Sequence, residues 1–217
     1  MKDIAIIGAG GLGREVLVLL HQINEVRPTW NVIGFYDDDT AYHGQTIDGV
    51  SCHGAVGLLA YFPDELYLVL AVGLPAARAA VSRRVQNPNA RYATLVHPLA
   101  QPRPYQQISL AEGVLIFQGA VLSTNIRLGR HTLVYPNCTI GHDATIGDFS
   151  TLMPGATLSG NTCLGEGILI GANAVVLPHL SIGEGSQVGA GAVITTALPA
   201  RCTAAGIPAK ISNQHEL

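Results

Sequence analysis

The chain has 217 residues, of which 48% are hydrophobic and 12% charged, with a net charge of -3. That composition is too apolar for disorder and predicts a sizeable core. The mildly acidic balance, with no basic run longer than Arg83-Arg84, gives no reason to expect nucleic acid or an anionic membrane as a partner.

Met1 leads into "KDIAIIGAGG". Four apolar residues before a glycine turn are too few for a signal peptide and read as a strand buried on both faces. No stretch approaches the roughly 20 apolar residues of a membrane span, and a cytoplasmic protein is expected. Strand, glycine turn and helix follow in order, the helix spanning about 13–22 with Val16, Leu17, Leu19 and Leu20 apolar. The G-x-G-G-x-G turn places helical N–H groups where phosphate binds, so Gly11 and Gly13 are candidate contacts for a nucleotide-linked substrate. The second strand, "NVIGFYDDD", ends in Asp37 and Asp38, candidates for the ribose; a solvated acidic turn is the plainer alternative. A third strand, "ELYLVLAVG", ends at Gly73, which joins the same candidate set. An alanine-rich helix and a fourth strand, "RYATLVHP", complete a small parallel α/β domain over 1–98. It is too short for a six-stranded dinucleotide fold, so half a Rossmann unit is expected. Proline-rich "LAQPRPYQQ" (99–107) predicts a linker.

From Leu110 every sixth residue is aliphatic, through Ile116, Leu122, Leu128, Val134, Ile140 and onward to Val188 and Ile194. Glycine often follows, and a small residue usually stands two places before. A six-residue unit of one short strand and a turn predicts a parallel β-helix over 108–217, with three units to a coil and about five coils. Aliphatic side chains would stack inside, small residues would fit the corners, and the glycines after the aliphatic residues would supply the turns.

"TIGHDATIGD" interrupts this pattern with chemistry. His142 and Asp143 fall just after an inward Ile140 and a glycine, hence outside at a corner. Most equivalent positions carry no base, and an adjacent carboxylate can orient a ring nitrogen, so His142 is the candidate general base and Asp143 its partner. Alone, the dipeptide reads more readily as a solvated corner. His131 and His179 are expected to face outward on other coils, His97 to end a strand, and His215 to lie in the tail. Cys52, Cys138, Cys163 and Cys202 lack C-x-x-C spacing and predict reduced, mostly buried thiols; no metal site is expected.

The stretches "GAGGLGRE", "GFYDDD", "IGHDATIGDFS" and "GIPAK" together resemble the bacterial sugar O- or N-acyltransferases. That family includes sialic acid O-acetyltransferases and N-acetyltransferases of amino-sugar nucleotides. The resemblance covers essentially the whole chain. It implies an α/β plus β-solenoid architecture, with a Rossmann-like domain before a left-handed β-helix, and a homotrimer whose active sites lie between subunits. It implies His142 as base beside Asp143, acetyl-CoA as co-substrate along a groove marked by Gly160, Ala172 and Ala190, and Lys210 near the coenzyme's distal end. It also implies that the first domain grips a nucleotide-sugar, its phosphates at the glycine turn (Gly11, Gly13, Arg14) and its base near the acidic turn (Asp37, Asp38). Many members carry Asn seven residues before the base and a second His nine after it; here those positions are Tyr135 and Thr151, both near the acyl and acceptor groups.

The function expected is acetylation of the amine of a nucleotide-linked 4-amino-4,6-dideoxy sugar. O-acetylation of a sialic acid or another sugar hydroxyl is the alternative within the class. A non-catalytic β-helix that binds nucleotide-sugar is the alternative outside it. A nicotinamide-dependent oxidoreductase, suggested by the glycine turn alone, leaves the hexapeptide units unexplained.

Overall fold

A computed structural model describes residues 1–214; His215 lies outside the described residues. The chain divides into two compact units, residues 1–98 and the remainder from Leu99.

In the first unit, β1 (Lys2–Ile7) is followed by α1 (Gly11–Val26) and β2 (Trp30–Tyr36). A small antiparallel pair follows, β3 (Thr46–Ile47) with β4 (Val50–Ser51). Then come β5 (Leu66–Leu70), α2 (Pro75–Arg84) and β6 (Ala90–Tyr92). The main sheet is parallel, in the order β2-β1-β5-β6. Alternation along β1 sends Ala5 and Ile7 to one face, where they pack with Val56, Leu59, Leu66 and Leu68. Ile4 and Ile6 go to the other and are fully buried. The strand order reverses beside β1, and ligand crevices in such sheets open outside the carboxyl ends of the strands at that point. α1 is longer at both ends than its apolar spacing predicts.

In the second unit, two-residue strands recur every six residues from Ser109–Leu110 to Val193–Ile194. From Ser109–Leu110 to Val175–Val176 each pairs in parallel with the strand 18 residues on, as Thr139–Ile140 pairs with Thr157–Leu158. One face runs from Val121–Leu122 to Val193–Ile194 and a second from Ser109–Leu110 to Ser181–Ile182. The third begins at Leu115–Ile116, continues through Gln187–Val188 and Cys202–Gly206, and closes with antiparallel Ala209–Gln214. The expected aliphatic column is the core: Ile116 to Ile194 are buried at every sixth position, and Leu110, in the first coil, is half-buried. Each such Ile or Leu contributes roughly 1.5–3 kcal/mol of burial.

The turns differ from the expectation. Every sixth residue from Gly113 to Gly191 has positive φ, including Asn125, His131, Asn137, Asp143 and Asn161. These left-handed residues, three after each aliphatic, make the corners; Gly and Asn tolerate that conformation and Asp follows closely. The glycines directly after the aliphatic residues serve another purpose. A Cβ on Gly141 would lie 2.7 Å from Ser159 C, and one on Gly147 2.5 Å from Gly165 C. They let successive coils approach, which a six-residue periodicity cannot distinguish from a turn. Phe149 also takes the left-handed corner conformation, buried and stacked on His131 at 5.0 Å.

The segment 99–107 carries short 3-10 turns and is fastened to the first coil. Gln106 Nε2 donates to the carbonyls of Leu122 and Ser123 at 2.7 and 2.8 Å. Its own carbonyl accepts from Asn125 N at 2.7 Å and from Thr124 Oγ1 at 2.9 Å.

Candidate active site

His142 and Asp143 sit on the corner between the strands Thr139–Ile140 and Thr145–Ile146. Both are open to solvent, their side chains 56% and 41% exposed. His142 Nδ1 lies 2.7 Å from Asp143 Oδ2. An ionised carboxylate only accepts, so Nδ1 carries the hydrogen and Nε2 keeps its lone pair for an incoming proton. The other carboxylate oxygen accepts from Asn125 Nδ2 at 2.5 Å, from the same corner one coil earlier. Those two hydrogen bonds, Asn125's first, hold the Asp143 carboxyl below its ordinary range. The imidazole lies over Gly160 on the next coil: a Cβ there would collide with Nε2 and sit 2.6 Å from Cε1. Gly160 is thus the floor beneath the ring.

The expected coenzyme contacts do not share that corner. Ala172 and Ala190 follow strands of the third face, one coil apart, half-buried and exposed respectively. Lys210 is exposed on the last strand, opposite Ala205. Tyr135 is half-buried and stacks on Phe117 at 5.6 Å, and Thr151 is fully buried in a strand of the third face. None of these five positions belongs to the corner that carries His142 and Gly160.

In the first unit, Ala9, Gly10, Gly11, Arg14, Tyr42, Thr46, Ile47 and Asp48 line a cleft of 340 Å³. It opens at the start of α1, whose first turn carries no acidic residue, so the helix itself sets no carboxylate against its positive end at the cleft. Gly11 leaves open space: nothing lies within 4 Å of a Cβ built on it. Gly13 is different. It is buried, and a Cβ there would strike the Gly8 carbonyl oxygen and press on Phe35 Cε1 at 3.3 Å. Its place is helix-on-strand packing. Arg14 pairs with Asp48 at 2.8 Å across the exposed cleft rim.

The acidic turn is engaged by the fold. Asp37 accepts from Ala9 N at 2.7 Å and Asp39 N at 2.9 Å, tying the end of β2 to the glycine turn. Asp38 accepts from Val56 N at 3.2 Å and pairs with Arg84 at 2.8 Å. Gly73 offers its carbonyl to buried Arg78 at 2.8 Å.

Residues 3–85 match the family model described as the PglD N-terminal domain, and residues 161–196 the bacterial transferase hexapeptide of six repeats. The acetyltransferase domain of PglB from Neisseria gonorrhoeae FA1090, solved with acetyl coenzyme A, is 30% identical. The match covers 97% of this chain and 98% of that one, with a TM-score of 0.87. The chain belongs to this family of hexapeptide-repeat sugar acetyltransferases. A point mutant of perosamine N-acetyltransferase from Caulobacter crescentus, solved with CoA and GDP-perosamine, is 26% identical over 98% of each chain, with a TM-score of 0.88. WeeI from Acinetobacter baumannii AYE is 26% identical over 97% of this chain and all of that one, with a TM-score of 0.83. A search of curated protein sequences found no match.

The protein is therefore an acyltransferase. Two features of its site lie outside the sequence reading. Asn125 is 18 residues before Asp143, one full coil, so the repeat length held the signal for their contact. Gln106 sits in aperiodic sequence and gives no such signal. One other expectation fails: His131 is buried, only 4% exposed, because its corner carries Phe149 one coil on. His97 directly follows the strand Leu95–Val96, as expected, and is buried. His179 is exposed, and of the four cysteines only Cys163 is exposed. Burial pushes the Cys138 thiol up to about 11, so it holds no thiolate near neutrality. Among the described residues no helix is long and apolar enough to cross a membrane.

Proposed function

We propose that this acetyltransferase moves the acetyl group of acetyl-CoA to the amine of a nucleotide-linked 4-amino sugar, with His142 as general base. The observation that carries the reading is the corner itself: an exposed imidazole whose Nδ1 is tied to a carboxylate and whose Nε2 edge lies over Gly160. The relative solved with CoA and GDP-perosamine supports the choice of co-substrate and of acceptor class.

A thioester is already activated, so the enzyme has to align the reactants and manage one proton. The sugar nitrogen attacks the thioester carbon as Nε2 of His142 takes an N–H proton. Asp143 steadies the imidazolium. The tetrahedral intermediate then collapses, the C–S bond breaks, and the imidazolium returns the proton to the departing thiolate. Backbone N–H groups near Gly160 are the expected stabilisers of the oxyanion. Ala172 and Ala190 present little side chain, which suits a coenzyme held by backbone groups. The cleft at Gly11 and Arg14 receives the diphosphate, with Arg14 shared between Asp48 and phosphate. A subunit interface is expected to join the His142 corner of one chain to the Ala172–Ala190 corner of the next.

The test is coenzyme A release from acetyl-CoA with a panel of nucleotide-linked amino sugars, GDP-perosamine among them, beside sugars offering only hydroxyls. Turnover of an amino sugar is expected. His142→Ala should lower kcat at least about 100-fold, and Asp143→Asn roughly 10- to 100-fold, with little change in KM for acetyl-CoA. Acetyl transfer that survives His142→Ala would remove the base assignment. Turnover of hydroxyl acceptors alone would move the enzyme to O-acetylation.

A further inference from the structure

We propose that Asn125 is a positioning residue for acetyl transfer, fixing the carboxylate of Asp143 and through it the tautomer and direction of His142. This rests on the reading of His142 as the base.

Residues 125, 143, 161 and 179 form one column, one per coil of 18 residues, and all four take the left-handed corner conformation. Within that column Asn125 Nδ2 donates to Asp143 Oδ1 at 2.5 Å, while Asp143 Oδ2 accepts from His142 Nδ1 at 2.7 Å. One donor at each oxygen fixes the plane of the carboxylate. Without the amide, Asp143 would hold its neighbour from an exposed corner with both side-chain torsions free. The coils themselves need no such bond, since Asp143 N already donates to Thr124 O at 3.0 Å and Asn161 N to His142 O at 2.8 Å. At other corners glycine fills the position beneath: Asn137 Oδ1 stands over Gly119, and Asn173 Oδ1 over Gly155. Asn125 is in turn set from below, its N–H donating to the Gln106 carbonyl at 2.7 Å. A carboxylate bonded in this way also stays ionised in mild acid, so an acid limb in the rate would report the imidazole.

Glycine is the replacement that keeps the corner, because Gly113, Gly119 and Gly155 adopt the same conformation. The first measurement needs no substrate: ¹⁵N spectra of histidine-labelled protein at about pH 8, where neutral imidazole shows its tautomer. His142 should carry its hydrogen on Nδ1 in the unaltered protein and become a mixture of tautomers in Asn125→Gly. With acetyl-CoA and GDP-perosamine, Asn125→Gly should lower kcat about tenfold and change KM for acetyl-CoA by less than about twofold. In an Asp143→Ala background the same substitution should have no further effect, since Asn125 acts through that carboxylate. Asn125→Asp places a second carboxylate beside the first and should move the acid limb of the rate to higher pH, because added negative charge favours imidazolium. An unchanged His142 tautomer in Asn125→Gly overturns the proposal, as does an equal loss of kcat with and without Asp143. His142→Ala separates the two readings. If it retains activity, the base assignment fails and the positioning role falls with it. If it is inactive while Asn125→Gly behaves as the unaltered enzyme, the positioning role alone fails.

Discussion

A Cβ at position 160 would lie 2.6 Å from His142 Cε1 and closer still to Nε2. What distinguishes His142 from the other described histidines is this combination of an open ring nitrogen, a bound carboxylate and a glycine floor. His131 is packed against Phe149, and His43 and His53 are hydrogen-bonded to backbone carbonyls of Asp37 and Ile33. Gly160→Ala should therefore injure catalysis while sparing the fold. The exposed ring can swing aside, so the stability change should stay below about 1 kcal/mol. Displaced from its position, Nε2 no longer meets the acceptor, and kcat should fall about 100-fold. Paired kcat and denaturant midpoints check this; a kcat within a few fold of the unaltered enzyme would show that the ring works from elsewhere.

At the scale of elements, the two glycines of the turn after β1 answer to different physics. Gly13 is pressed against the Gly8 carbonyl, so the approach of α1 to β1 depends on it; Gly11 faces the open cleft. Gly13→Ala should cost roughly 1–3 kcal/mol, since helix and strand must move apart. Gly11→Ala should leave stability within about 0.5 kcal/mol while raising KM for the nucleotide-sugar and not for acetyl-CoA. Urea unfolding and steady-state kinetics on the two variants measure both. Equal losses of stability would mean that Gly11 is a packing glycine as well. The acidic turn carries the same lesson, since the carboxylates of Asp37 and Asp38 are bonded to the backbone of Ala9, Asp39 and Val56.

For the whole molecule the distribution of the expected site makes a prediction about assembly. His142 and Gly160 stand on one corner of the β-helix, and Ala172 and Ala190 on another. Under the proposed function a groove between these corners would join two chains, and the family resemblance implies three. Sedimentation should give about three times the 22.7 kDa of one chain. His142→Ala and Ala190→Trp should each be inactive alone. Co-refolded, they should recover roughly a quarter of the unaltered rate, because random mixing leaves one interface in four with both corners intact. No recovery from mixed, folded oligomers would place both corners' contributions within one chain.

The periodic parts of the molecule were legible from the chain alone, because a solenoid writes its structure into a fixed repeat. The aliphatic column, the buried small residues, the strand–turn–helix at Gly8 to Gly13 and the His142–Asp143 corner all follow from residue type and spacing. Tertiary structure decided whatever depends on which atoms meet across a coil. It assigned the left-handed turn to Asp143 and its equivalents and left the preceding glycines to close approach, a choice that needs backbone distances between coils. It buried His131 under Phe149, fastened Gln106 to the first coil, and divided packing from ligand space between Gly13 and Gly11. It also brought Asn125 to Asp143, residues 18 apart in the chain and 2.5 Å apart in space, because hydrogen bonds act over ångströms and a repeat states only which residues share a column.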